Sequence, residues 1–328
     1  MSDKPTLISG VKPTGNMHLG NYLGAVKNWV ELQDSGDYNC IFFIADYHSI
    51  TNEMGAKKRH DQIYKTAAEL IAAGIDPDKS LFFVQSHVPE HTELAWIFNC
   101  VTTVGELERM TQYKTKSDKN PNTGLLTYPV LQAADVLLYQ GETVPVGEDQ
   151  LQHLELTRDI ARSFNHRFDT DFFPEPESKL TETPRVKSLR DPQSKMSSSK
   201  PNSHRIELAD EPEVIEEKVK KAVTATEGGT EDTAPGVENL LLLLEKFGDE
   251  DTYQEYLEKE KSGEIKYGYL KQEVSSAVAD YFEGFREKRK ELIQDRDEIA
   301  EVLIEGEEQA REIASKNMEQ VRELIGIR

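Results

Sequence analysis

Apolar residues follow two alternating patterns over the first part of the chain. Runs that are apolar at every position, Cys40 to Ala45 and Leu81 to Val84, predict strands buried on both faces of a parallel sheet. Thr6 to Ser9 and Thr143 to Val146 predict two more short strands. Between them the spacing turns helical, over Leu19 to Gln33, Lys57 to Ala73, Glu90 to Thr103 and Gln150 to Phe164. In the second of these, Ile63, Ala67, Leu70 and Ile71 form one stripe and Gly74 is the stop. Strands alternating with helices imply an α/β fold with a parallel sheet.

Beyond about residue 205 the strand pattern ceases. Pro212 opens a helix running to Val223, and Leu240 to Phe247 and Tyr269 to Phe285 are helical as well. Glu298 to Ile325 predicts one long amphipathic helix, with Ile299, Val302, Leu303, Gly306, Ala310, Ala314, Met318 and Val321 on one side. The sequence therefore predicts an α/β domain over residues 1–205 and an all-α domain over 206–328, a division that suits a chain of 328 residues.

Charge changes at the same place. Residues 1–200 carry 27 acids against 21 bases, a balance of −6, and residues 201–328 carry 33 against 18, a balance of −15. A net charge of −21 opposes general nucleic-acid binding, which is driven by neutralising phosphates. Any RNA contact must then come from a local basic strip, and Arg286, Lys288, Arg289 and Lys290 form the densest run of the second part. No apolar run approaches the length of a membrane span, and Met1 to Pro5 lacks the basic and apolar regions of a signal peptide. Cys40 and Cys100, the only cysteines, lie in apolar surroundings and are expected to be buried thiols. The chain reads as cytoplasmic.

Two segments carry candidate chemistry. Lys12-Pro13-Thr14-Gly15-Asn16-Met17-His18-Leu19-Gly20-Asn21 lies between the first strand and the first helix, where open α/β folds bind ligands. A helix N-terminus there offers N–H groups to phosphates, Gly20 lets a base or ribose approach the backbone, and His18 and Asn21 can donate hydrogen bonds. The spacing lacks G-x-G-x-x-G, which disfavours nicotinamide and flavin enzymes. The second segment, Lys195-Met196-Ser197-Ser198-Ser199-Lys200, is a polar loop able to close on a triphosphate.

Together these segments resemble the two signatures of the class I aminoacyl-tRNA synthetases. Gly105 to Lys114 and Val146 to His153 are similar to stretches of the tryptophan-specific branch. The resemblance covers the whole chain and implies a Rossmann-like, parallel-sheet catalytic domain with a helical insertion over roughly residues 96–140, then a helical anticodon-reading domain. It implies ATP contacts at Lys12, Pro13, Thr14, Gly20 and Asn21, at Gly147, Glu148 and Asp149, at Val186, and at Lys195, Met196, Ser197, Ser198 and Ser199. Catalytic roles are implied for His18, Asn21, Lys114 and Lys195. Two departures matter: the family more often has glutamine at position 12 and lysine at position 198. One phosphate-directed cation is thus missing, and Lys12, Lys195 and Lys200 are the candidates to replace it.

Tyr128, Gln132 and Asp135 share one face of a predicted helix. By the resemblance, Asp135 accepts the indole N–H of tryptophan, while Tyr128 and Gln150 hold the substrate ammonium. Tyrosine stays the alternative, since an aspartate here accepts a phenolic hydroxyl equally well. Two other classes remain open: another adenylyl-transferring enzyme of this fold, and a binding protein that does not charge tRNA. The implied partners are L-tryptophan, ATP, tRNA(Trp) and a second copy of the chain. Magnesium is expected to arrive with ATP, held by phosphates and water, with no permanently bound cofactor and no protein metal site.

Overall fold

The computed structural model describes residues 4–116, 122–147, 150–180, 184–224 and 233–327. Five strands, β1 (Thr6–Val11), β2 (Asn39–Ile44), β3 (Leu81–Val84), β4 (Thr143–Val146) and β5 (Glu177–Leu180), form one parallel sheet in the order β3-β2-β1-β4-β5. After β3 the chain crosses back to place β4 on the other side of β1. The carboxyl ends of β1 and β4 therefore flank the point where the strand order reverses, and a crevice opens there.

Helices α1 (Leu19–Asn21), α2 (Lys27–Ser35), α3 (Asp46–Ser49), α4 (Ala56–Ala72), α5 (Glu90–Asn99), α6 (Val104–Glu108), α7 (Thr111–Lys116), α8 (Thr123–Leu137) and α9 (Leu151–Arg167) surround the sheet. Helices α10 (Pro212–Lys220), α11 (Pro235–Phe247), α12 (Glu250–Ser262), α13 (Tyr267–Tyr281), α14 (Glu283–Gln294) and α15 (Arg296–Leu324) follow. Alternation along each strand splits the core. Leu7, Phe42 and Phe82 point to one face, packing with Trp29, Leu70 and the helices after residue 205. Ile8, Phe43 and Phe83 point to the other, packing with α5, α8 and α9.

Several elements differ from expectation in their ends. The helix predicted over Leu19 to Gln33 contains a π-helical stretch, Tyr22–Val26, where Tyr22 packs against Phe282 with centroids 5.0 Å apart. Helix α5 stops at Asn99, because Thr103 caps α6 in a box with Glu106. The helix predicted from Tyr269 to Phe285 breaks at the buried Phe282, separating α13 from α14. Cys40 is buried as expected, but Cys100 is exposed beyond the end of α5.

Helix α15 crosses from one core to the other. Ile299 and Leu303 belong to the first, and Ala310, Ala314, Met318 and Val321 to the second. It passes the edge strand at Gly306, where a Cβ would lie 1.8 Å from the carbonyl oxygen of Phe82. Only a residue without a side chain permits that approach. Gly306→Ala is expected to push α15 off β3 and cost about 1–3 kcal/mol of stability. Thermal and urea unfolding check this, and wild-type stability in the variant would show that the contact is loose.

Candidate active site

A cavity of about 360 Å³ occupies the crevice at the carboxyl ends of the strands. Its walls come from β1 and the turn beyond it (Ile8, Gly10, Lys12), from α8 (Gln132, Asp135, Val136), from β4 and its exit (Val144, Val146, Gly147, Gln150), and from Val186 and Lys195. Residues predicted from segments far apart in sequence thus meet at one place.

The turn after β1 is held from several sides. Gly15 has φ +150°, and its carbonyl accepts from Gln62 Nε2 at 2.9 Å. Asn16 Nδ2 donates to Glu207 Oε2 at 2.7 Å, and Met17 N–H donates to Glu69 Oε2 at 2.9 Å. Leu19 N–H reaches the Ile206 carbonyl at 3.1 Å, and Leu208 N–H reaches that of Met17 at 2.9 Å. His18 is buried inside this lattice, and its Nδ1 has no hydrogen-bond partner among the described residues. Burial, then the Arg205 guanidinium, push its pKa down to about 4, so the ring is neutral near pH 7. Asn21 is exposed, and its side-chain oxygen accepts from His18 N–H at 3.3 Å. Gly20 lines the cavity, and a Cβ there would come 3.1 Å from the His18 ring.

The lysine-serine loop is anchored at its base. Met196 is buried, and its N–H donates to the Val186 carbonyl at 3.0 Å. Ser197 and Ser199 share a hydroxyl hydrogen bond of 2.9 Å, while Ser198 lies against Gly15. Lys200 turns elsewhere, donating to Asp191 Oδ2 at 2.7 Å and to Ser194. Of the three candidate cations, Lys12 and Lys195 line the cavity and Lys200 does not. Lys114 is exposed on α7 and does not line it either. Pro13 is buried and Thr14 exposed on the turn, and Glu148 and Asp149 lie outside the described residues.

The opposite end of the cavity, walled by His48, Gln132 and Val136, presents one carboxylate. Asp135 is 2% exposed. Its Oδ2 accepts from His48 Nε2 at 2.7 Å, and its Oδ1 from Gln85 Nε2 at 2.6 Å and His91 Nδ1 at 2.7 Å. His91 Nε2 in turn meets the Tyr139 hydroxyl at 2.9 Å. Burial alone would raise the Asp135 pKa, but His48 and His91 override it and hold the group at about 2. The Tyr128 hydroxyl donates to Gln112 Oε1 at 2.6 Å and meets His153 Nε2 at 2.8 Å, while Lys12 Nζ stands 5.1 Å from its ring centroid. Sequence reasoning missed His48, Gln85 and His91. Their one signal was position, His48 and Gln85 falling just past the carboxyl ends of β2 and β3.

The expected basic strip on α14 is not a free strip. Arg286 Nη2 donates to the Ala279 carbonyl at 2.7 Å, and Lys288 lies 3.8 Å from Glu298. Arg289 points inward, donating from Nε to the buried Glu69 at 3.0 Å. Of the four, Lys288 and Lys290 are exposed and the two arginines are half-buried.

Comparison with known proteins places this geometry. Residues 2–283 match the family of class I tRNA synthetases (W and Y). A tryptophan–tRNA ligase of Oceanobacillus iheyensis is 45% identical, over 98% of this chain and 98% of its own length. One from Rickettsia conorii is 42% identical, over 98% and 99%. The tryptophanyl-tRNA synthetase of Campylobacter jejuni, solved with ADP and tryptophan, superposes with a TM-score of 0.86 at 34% identity, covering 98% of this chain and 99% of that one.

The neutral, buried His18 has a measurable consequence. Its folded pKa lies below the ordinary 6.5, so between about pH 6.5 and 4 the unfolded chain binds a proton that the folded chain does not. Stability therefore falls as pH drops through that window, by at most ~3 kcal/mol from this residue. His18→Gln should flatten the slope in urea unfolding between pH 7 and 4.5. An unchanged slope would assign the pH dependence to other groups.

Proposed function

The chain belongs to the class I tRNA synthetases of the tryptophan and tyrosine family, and from that premise we propose that it joins L-tryptophan to tRNA(Trp) using ATP. One observation carries the choice of amino acid. An ionised carboxylate offers about four lone-pair sites. Asp135, which lines the cavity, fills three of them with His48, Gln85 and His91, leaving one on Oδ2. That is a site for one N–H donor on a flat apolar ring. Tyrosine would place a hydroxyl there, but the relatives that cover nearly the whole chain are tryptophan–tRNA ligases.

ATP lies along the turn from Lys12 to Asn21, with adenosine against Gly147 and Val186 and its phosphates toward Lys195 and the serines of its loop. Tyr128 and Gln150 hold the tryptophan ammonium, and Gln132 walls the pocket. A tryptophan carboxylate oxygen attacks the α-phosphorus, the bond to the bridging oxygen breaks, and pyrophosphate leaves. A ribose hydroxyl at the end of tRNA then attacks the carbonyl carbon of the adenylate and releases AMP. No protein nucleophile takes part, so positioning and charge supply the catalysis. The described residues contain no group of three or more His, Cys, Asp or Glu able to hold a metal, and the phosphate side presents lysines. We infer that magnesium arrives with the triphosphate, held by its phosphates and water.

Residues 1–205 form the catalytic part in this reading, and 206–328 read the anticodon, with Lys288 and Lys290 toward the RNA. A second copy of the chain would cover Trp96, which is 71% exposed beside Ile50 and Leu131. No described helix is long and apolar enough to cross a membrane, and we place the protein in the cytoplasm.

Tryptophan-dependent exchange of pyrophosphate into ATP tests the reading directly, and its absence would end it. Asp135→Asn is expected to raise the KM for tryptophan at least roughly tenfold with that for ATP unchanged. Lys195→Ala should lower kcat with tryptophan's KM intact, because the contact strengthens as charge develops on pyrophosphate. A raised KM for ATP at constant kcat would mean instead that Lys195 binds ATP equally in ground and transition states.

A further inference from the structure

Glu69 breaks the pattern of its helix. Ala67, Ala68 and Leu70 around it are fully buried, and Glu69 itself is 2% exposed, where α4 packs under the sheet and against α14. A carboxylate in such a place is costly unless it is paired. Its two oxygens serve two different parts of the molecule. Oε2 accepts the Met17 N–H at 2.9 Å, and Oε1 accepts Arg289 Nε at 3.0 Å, from a residue 220 positions away.

We propose that Glu69 is a positioning residue for the ATP-contacting turn, and that Arg289 keeps its carboxylate charged and aimed. The inference rests on the synthetase reading and concerns how ATP's part of the site is held. Met17 directly precedes His18, Leu19 and Gly20, so the Glu69 hydrogen bond fixes where that sequence leaves the turn. Arg289 is 19% exposed at its side chain and belongs to α14, in the helical part after residue 205. A displacement of α14 against α4 moves the guanidinium, and with it the carboxylate that holds Met17. Helix α8, which carries Asp135, packs with the core on the other face of the sheet, and the hydrogen bonds of Glu69 go to Met17 and Arg289 rather than to it. Burial raises the Glu69 pKa against the pull of Arg289 and the Met17 N–H, so removing the arginine takes away the partner that favours the charged, aimed carboxylate.

The two substrates separate positioning from simple scaffolding. In pyrophosphate exchange, Arg289→Gln should raise the KM for ATP roughly tenfold and leave that for tryptophan within about twofold. Glu69→Gln combined with Arg289→Gln should recover most of the ATP affinity, since the amide oxygen still accepts from Met17 and needs no cation beside it. Arg289→Lys, which keeps the cation, should stay within about threefold of wild type and reports even if Arg289→Gln fails to fold. Equal effects on both substrates, an unchanged KM for ATP with a lowered Tm, or a double variant no better than the single one would each overturn the proposal. Wild-type enzyme without tryptophan-dependent exchange would sink the synthetase reading instead, and that result is independent of the variants.

Discussion

Two backbone hydrogen bonds hold the site together: Leu19 N–H to the Ile206 carbonyl, and Leu208 N–H to that of Met17. They stitch the turn leaving β1 to the segment that follows the lysine-serine loop. Lys12 and Lys195 can face one cavity only because these distant stretches run side by side. A typical hydrogen bond adds only ~1 kcal/mol net, but a buried N–H left unmade costs ~1–3 kcal/mol, so the pair is hard to open halfway. His18 fits between the two segments because it is neutral; an imidazolium there would face Arg205 without solvent to separate them.

The cavity joined in this way is polarised. One end presents lysines from a chain whose overall charge is strongly negative, and the other presents a single carboxylate kept ionised by histidines. Local placement, not net charge, sets the field that a ligand meets in a cleft. The acidic surface leaves this field intact because Glu207 pairs with Arg205 and Asp191 with Lys200, each neutralised beside the site.

Strands β2 and β3 were legible because two covered faces demand continuous apolar runs, met by Cys40 to Ile44 and Leu81 to Val84. Strand β5, Glu-Ser-Lys-Leu at the sheet edge, has no such demand and gave no signal. Helix α12 went unread for a related reason, since Tyr256 is its single buried residue and no stripe forms. In the site, contiguous segments such as Lys12 to Asn21 announced themselves, whereas the Asp135 partners come singly from three separate elements and carry no common spacing. Arg289 was read as a surface cation because its local composition says nothing of a carboxylate on a distant helix.

The crossing of α15 at Gly306 bears on how the chain is made. Strand β3 is an edge strand, and an uncovered edge offers unpaired backbone groups to any passing strand. During synthesis that edge emerges more than two hundred residues before the helix that covers it. A nascent chain must wait for its last long helix before this flank is sealed. The interval is a period of vulnerability to self-association, in which crowded ribosomes translating the same message would be the first neighbours to exploit it.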